Sequence, residues 1–210
     1  RAGGPCARGD FCVALRAAGS VTIDDMTMTS ESPASASRSA DRRLSPAADA
    51  AALKRAYSCF PSGVVAVCCR DSTGDNLIGM AASAFTTVSL DPPLVSVCVQ
   101  NSSTTWPRLR GASAIGVSVF AQDQSALCRQ LAGPAERRFD GITPVGSDDG
   151  ALFIPDAAAH LSCSLYNEIP AGDHTLVLLK IEALDGDPTV EPLVFHASTF
   201  RALEVRRDTT

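Results

Sequence analysis

The residues best suited to chemistry lie in three short stretches. The first runs Gly79-Met80-Ala81-Ala82-Ser83-Ala84-Phe85-Thr86-Thr87-Val88-Ser89-Leu90-Asp91-Pro92-Pro93. Side chains this small add little volume to a core. The stretch makes sense if something flat and polar lies against its backbone and takes hydrogen bonds from it. Ala81, Ala82, Ser83 and Ala84 permit that approach, Phe85 follows, and Ser83, Thr86 and Thr87 offer hydroxyls. The alternative is a small-residue strand packed tightly against a helix. The second stretch, Asn101-Ser102-Ser103-Thr104, lies between a strand-like run and a helix start. Backbone N–H groups and hydroxyls in that setting favour an anion such as a phosphate. The plainer reading is a helix cap at Ser103 or Thr105. A flat polar ring with a phosphate beyond it points to a flavin. The third stretch, Gly172-Asp173-His174, puts one of the three histidines in a turn. A lone histidine is more often structural than catalytic, so its neighbours must decide.

Composition sets what can position these residues. The chain has 210 residues, 45% hydrophobic and 20% charged, with a net charge of −5, as expected of a globular protein with one domain and tails. About 160 ordered residues bury roughly 70% of the surface their unfolded chain exposes, so no metal or disulfide staple is needed. The negative charge, with no Lys/Arg cluster to offset it, argues against a nucleic-acid partner. A bound phosphate must therefore rely on local donors. No G-x-G-x-x-G, Walker loop, G-x-S-x-G elbow or metal-spaced His/Cys cluster is present, so the reading assigns no metal.

Of the eight cysteines, Cys59, Cys68, Cys69, Cys98, Cys128 and Cys163 sit mostly in apolar runs and read as buried thiols. Cys68 and Cys69 are adjacent, so on a strand they face opposite sides. Residues 1–44 are expected to form a disordered or non-native lead, residues 1–25 of it an upstream translation, tag or tail, with Met26 and Met28 as plausible starts. No run approaches the length of a membrane span, and the expected location is cytoplasmic. The folded domain is expected at 45–205, with 206–210 a tail.

Within it, Ser45-Pro46 resembles a helix start, and Ala47 to Ser58 reads as helical. Val64 to Arg70 reads as a buried strand that turns at 71–76 into Leu77 to Phe85, with Thr86 to Leu90 extending it. Further strands are expected at Leu94 to Val99, Ala114 to Val119, Ala159 to Glu168, Thr175 to Ala183, Leu193 to His196 and Thr199 to Val205. Short helices are expected at Thr105 to Arg110 and Gln122 to Leu131. Many short strands with few helices mean a mainly β barrel.

Phe60-Pro61-Ser62-Gly63-Val64, the Gly79 to Pro93 block and Ala171-Gly172-Asp173-His174 resemble, in order and spacing, the signature regions of the short-chain flavin reductases. These are the reductase components of two-component flavin-dependent monooxygenases. The resemblance runs from about Ala51 to Leu203. It implies an FMN-binding split β-barrel with a few short α-helices, a homodimer, and reduction of FMN or FAD by NADH or NADPH. Reduced flavin would then diffuse to a partner monooxygenase. In the family the position of Ser83 is frequently Asn and that of Ala81 frequently Thr. The resemblance places Asn101 to Thr104 at the phosphate, and Gly172, Asp173 and His174 at the exposed flavin face where nicotinamide stacks. His174 is expected to orient the nicotinamide or support the reduced flavin electrostatically, and Asp173 to hold the turn. Phe139, after Arg137-Arg138, covers the site or anchors a loop. The alternative function is a non-catalytic flavin-binding or carrier protein on the same barrel; a split-barrel oxidase of the pyridoxamine phosphate type would want a more basic pocket.

Overall fold

The computed structural model describes residues 44, 46, 47, 49–71, 73 and 76–204. The expectations for residues 1–43, for Ser45 as a helix cap and for the 206–210 tail fall outside them. The first helix, α1, spans Ala50–Tyr57, three residues shorter at its start than the sequence suggests. Asp49 sets that start, its carboxylate accepting from the backbone N–H groups of Ala51 and Ala52. Such a cap stabilises a helix by about 1 kcal/mol.

The strands follow in chain order as β1 (Ser62–Gly63), β2 (Val65–Arg70), β3 (Leu77–Ala82), β4 (Phe85–Leu90) and β5 (Pro93–Gln100). After the short α2 (Trp106–Leu109) come β6 (Ile115–Val119), α3 (Ser125–Leu131), β7 (Val145–Gly146) and β8 (Leu152–Phe153). The 13-residue strands β9 (Ala159–Ala171) and β10 (His174–Gly186) form the longest hairpin, and β11 (Val194–His196) and β12 (Thr199–Arg201) complete the set. The sequence merges β3 with the start of β4; the structure breaks them at Ser83 and Ala84.

That break defines the architecture. One antiparallel sheet runs β3-β2-β6-β9-β10-β5-β4. Its two edge strands, β3 and β4, are consecutive in the chain. Two residues can span only about 10 Å, so the sheet must curl until its edges nearly meet. The edges do not pair with each other. The result is a barrel split along one seam, at the small-residue stretch.

Alternation along the strands separates two cores. Val65, Val67 and Cys69 of β2, Ile78, Met80 and Ala82 of β3, Val95, Val97 and Val99 of β5, Ile115 and Val117 of β6, Cys163 of β9, and Val177 and Leu179 of β10 point into the barrel. Trp106 and Leu109 of α2 join them, and Phe85 of β4 packs alongside. The opposite faces of β2 and β3, through Ala66, Cys68 and Ala81, meet Cys128 and Leu131 of α3, Leu152 of β8 and Phe195 of β11. Among the described residues, this outer core takes no member from β4, β5 or β10. Their outer face is left half open.

Cys68 and Cys69 do face opposite cores. Burial pushes the Cys68, Cys128 and Cys163 thiols up to about 12, so they stay protonated and unreactive. Cys59 departs from the expected pattern and is exposed. Alkylation of the native protein at pH 8 is therefore expected to label Cys59 rapidly and to leave Cys68, Cys128 and Cys163 unmodified until the protein unfolds. Peptide mass mapping reads this directly, and prompt labelling of Cys68 would contradict the outer-core packing.

Candidate functional site

Strand register brings the three stretches to one end of the sheet. β5 lies between β4 and β10 and runs antiparallel to both. The starts of β4 and β10 therefore flank the end of β5. Phe85 pairs with Val97, and Val97 with Val177, all on the barrel side. The alternate residues make the outer rows: Thr86, Ser96 and Leu178, then Cys98 and Leu176, then Gln100 and His174. Ala84 joins the Cys98 row, its carbonyl accepting from the Cys98 N–H at 3.1 Å. With strands about 4.8 Å apart, the outer face from Ala84 to Leu176 is about 10 Å wide, room for a fused three-ring system.

The accessible part of the small-residue stretch is narrower than its sequence suggests. Ala81 and Ala82 are only 4% and 5% exposed, and Ser83 9%. Ala81 packs in the outer core and Ala82 in the barrel, so for these two the strand-packing alternative holds. Their side chains are core, so only their backbone could serve a ligand. Ala84 and Phe85 are half-buried and Thr86 and Thr87 exposed, so the open segment runs from Ala84 to Thr87. Phe85 faces the barrel interior, leaving Ala84 and Thr86 outward.

Asn101 is a tie between motifs more than a free donor. Its backbone N–H donates to the Asp173 carbonyl at 3.0 Å and its Nδ2 to the Gly172 carbonyl at 3.2 Å, while its Oδ1 accepts from Thr175 Oγ1 at 2.9 Å. This fixes the 101–104 loop to the β9–β10 hairpin. Ser103 Oγ accepts from the Trp106 N–H at 3.1 Å, so Ser103 satisfies a donor at the helix start, while the N-cap position itself is Thr105, whose side chain makes no cap bond. Ser102 and Thr104 are exposed, and Arg108 is exposed in the adjoining α2. Trp106 is pinned from the far side, its Nε1 donating to Glu168 Oε1 at 2.7 Å, with Arg110 Nη2 2.9 Å from the other carboxylate oxygen. A charge-assisted bond of this kind contributes about 1.5–3 kcal/mol.

The sequence reading puts His174 in the turn; in the structure it is the first residue of β10, paired with Ala171 and Gln100. The turn itself is Gly172-Asp173. Gly172 has φ of +68°, the left-handed conformation a two-residue hairpin needs at that point. Because Asp173 lies in the turn, its side chain is not forced away from its neighbour's. Asp173 Oδ1 sits 2.7 Å from His174 Nδ1, so Asp173 holds the ring as well as the turn. The bond from His174, then the ring's charge, holds the fully exposed Asp173 carboxyl below the usual aspartate range. The contact is therefore intact above the ordinary aspartate pKa of about 3.9 and is lost as pH falls below it, through the lowered folded value. An ionised carboxylate only accepts, so Nδ1 carries the proton and Nε2 is left free for a ligand. The His174 side chain is 18% exposed, held but reachable.

The structural part played by Arg138 is not marked in the sequence: it is 2% exposed and donates to the Gly79 carbonyl. Phe139, its neighbour, packs against the outer core next to Gly79, which settles it as a loop anchor and not a site cover.

Comparison with known proteins agrees with this arrangement. The flavin reductase like domain matches residues 57–204. An NADH-dependent flavin reductase of a Rhodococcus species is 38% identical over 156 residues, covering 73% of this chain and 86% of that protein. The reductase component of 4-hydroxyphenylacetate 3-monooxygenase from Thermus thermophilus is 35% identical over 153 residues, 72% of this chain and 95% of that protein. The solved structure of a Streptomyces globisporus NADH:FAD oxidoreductase, in complex with NAD and FAD fragments, superposes with a TM-score of 0.71 at 32% identity, covering 80% of this chain and all of that one. With a split barrel, the motif-bearing strand ends side by side and a match over most of its length, this chain belongs to the flavin reductase-like domain family.

Proposed function

We propose that the chain is an NAD(P)H:flavin oxidoreductase that reduces FMN or FAD and supplies the reduced flavin to a partner monooxygenase. The observation that carries the reading is the convergence of Ala84 to Thr87, Asn101 to Thr104 and Gly172 to His174 at one end of the sheet. These residues fit a flavin. Ala84, Cys98 and Leu176 offer a low, mostly apolar floor for a ring, Thr86 adds a hydroxyl at its edge, and Ser102 and Thr104 provide exposed hydroxyls toward a phosphate. The names of the relatives favour NADH as the nicotinamide.

When bound, the flavin supplies an acceptor for the hydride of the nicotinamide. That transfer needs no strong acid or base, so the protein's part is alignment. Ala84 keeps the floor flat, and Asn101 locks the phosphate loop to the hairpin. Asp173 holds the imidazole through Nδ1, which leaves Nε2 to orient the nicotinamide or stabilise developing negative charge. In this reading the unit is the 45–205 domain, acting as a homodimer. Supporting that assembly, Leu165, Tyr166 and Ile169 of β9 and Leu184 of β10 are 36%, 53%, 42% and 69% exposed along one hairpin. Among the described residues no helix is long and apolar enough to cross a membrane.

The test is a steady-state assay of nicotinamide oxidation with FMN or FAD against NADH or NADPH. Turnover is expected with NADH and at least one flavin. Absence of turnover with all four pairs, alongside measurable flavin binding, would replace the enzyme with a flavin carrier.

A further inference from the structure

Arg138 takes no part in the chemistry above, yet it is among the largest fully buried side chains of the protein. A buried guanidinium is costly unless its protons are taken up, so its acceptors indicate its purpose. Nε donates to the Gly133 carbonyl at 2.9 Å, just past the end of α3. Nη1 donates twice, to the Gly79 carbonyl and to Thr105 Oγ1, each at 2.8 Å. Gly79 lies in β3, the strand that leads into Ala84 to Thr87. Thr105 directly follows Asn101 to Thr104. One nitrogen thus joins the two segments assigned to the ring and to the phosphate.

Phe139 reinforces the grip. A Cβ at Gly79 would stand 2.7 Å from Phe139 Cζ and 2.7 Å from Cys68 Sγ, so the ring presses on the bare Cα while Arg138 holds the carbonyl. We propose that Arg138 is a positioning residue of the flavin site: it sets the spacing between the β3–β4 seam and the 101–104 loop without touching the ligand. The proposal rests on the flavin-site reading above. Lysine is a poor substitute, because its single ammonium cannot reproduce the planar fork that reaches Gly133 on one side and Gly79 with Thr105 on the other.

The test uses Arg138→Lys, Thr105→Val and the double variant. Each is checked for a cooperative melt, then titrated with FMN and with FAD while the fluorescence of Trp106, the single tryptophan of the chain, is followed. Arg138→Lys is expected to weaken flavin binding about tenfold, Thr105→Val about three- to tenfold, and the double variant no more than Arg138→Lys, since both remove the same bond. The KM for NADH is expected to stay within about twofold, a split that general loosening would not give. Thr105→Val, which keeps the buried shape, decides the matter if Arg138→Lys does not fold. Flavin affinity within about twofold of wild type in the folded variants, or equal losses for flavin and NADH, would overturn the proposal. A wild-type protein whose fluorescence responds to neither flavin would instead overturn the site reading, and the proposal with it.

Discussion

Replacing His174 with alanine is expected to raise the KM for the nicotinamide or lower kcat severalfold, while flavin affinity changes little. The reason is where the ring sits. His174 occupies the outermost row of β10, opposite Gln100 and one row beyond the Cys98–Leu176 floor. It borders the site and does not lie beneath it. Its Nδ1 is committed to Asp173, so Nε2 is its remaining polar atom. One hydrogen bond at an accessible site is worth about 0.5–1.5 kcal/mol, or roughly a factor of two to twelve in rate or affinity. Asp173→Asn is expected to move the same constants in the same direction by less, because an amide still offers an oxygen but no charge. Steady-state constants indistinguishable from wild type in His174→Ala would remove this residue from the mechanism.

The second large effect is expected from Ala84→Leu. Ala84 is the second residue past the end of β3 and the last before β4, it is half-buried, and its row continues through Cys98 to Leu176 across the open face. A leucine there stands up from the floor where the ring must lie. Overfilling a packed contact costs about 1–3 kcal/mol, which corresponds to roughly a 5- to 150-fold loss of flavin affinity. The side chain points away from both hydrophobic cores, so the melting temperature is expected to stay within a few degrees. Equilibrium titration with FMN and FAD beside a thermal melt separates the two effects. The same substitution at Ala81 or Ala82 should do the opposite, destabilising the protein first, because both alanines are core.

That contrast shows how far the sequence could be read. A run of small residues announces close approach, but its composition is the same whether the approaching body is a ligand or another strand. Ala81 and Ala82 approach protein, whereas Ala84 and Thr86 face outward; only the split between β3 and β4 separates them. The β2–β3 hairpin was legible from its apolar run and polar turn. The β9–β10 hairpin is longer than its sequence pattern suggests, since Pro170 argues against a strand. Pro170 is tolerated since β9 pairs on its other side with β6 only through residues 159–163, leaving no second partner there to want its missing N–H. Lengthening the hairpin moved His174 from the turn to the strand and let Asp173 reach it.

Arg138 was beyond the sequence. Nothing in Arg137-Arg138-Phe139 says that one arginine is exposed and the other buried, and arginine is seldom buried at all. Asn101 is a similar case: its residue type suits a phosphate loop, but its side chain joins the loop to Gly172 and Thr175. Both residues hold segments distant in sequence, and such ties become visible only when the barrel has curled.

The central claim is that the end of the sheet bearing Ala84, Asn101 and His174 brings flavin and nicotinamide together for hydride transfer. Its most direct test is anaerobic. FMN or FAD is mixed with NADH and the protein without oxygen, and loss of the oxidised flavin absorbance is followed. Bleaching is predicted at a rate proportional to protein concentration, slowed in His174→Ala and shifted to higher flavin concentration in Ala84→Leu. Bleaching no faster than in a mixture lacking the protein would contradict the account.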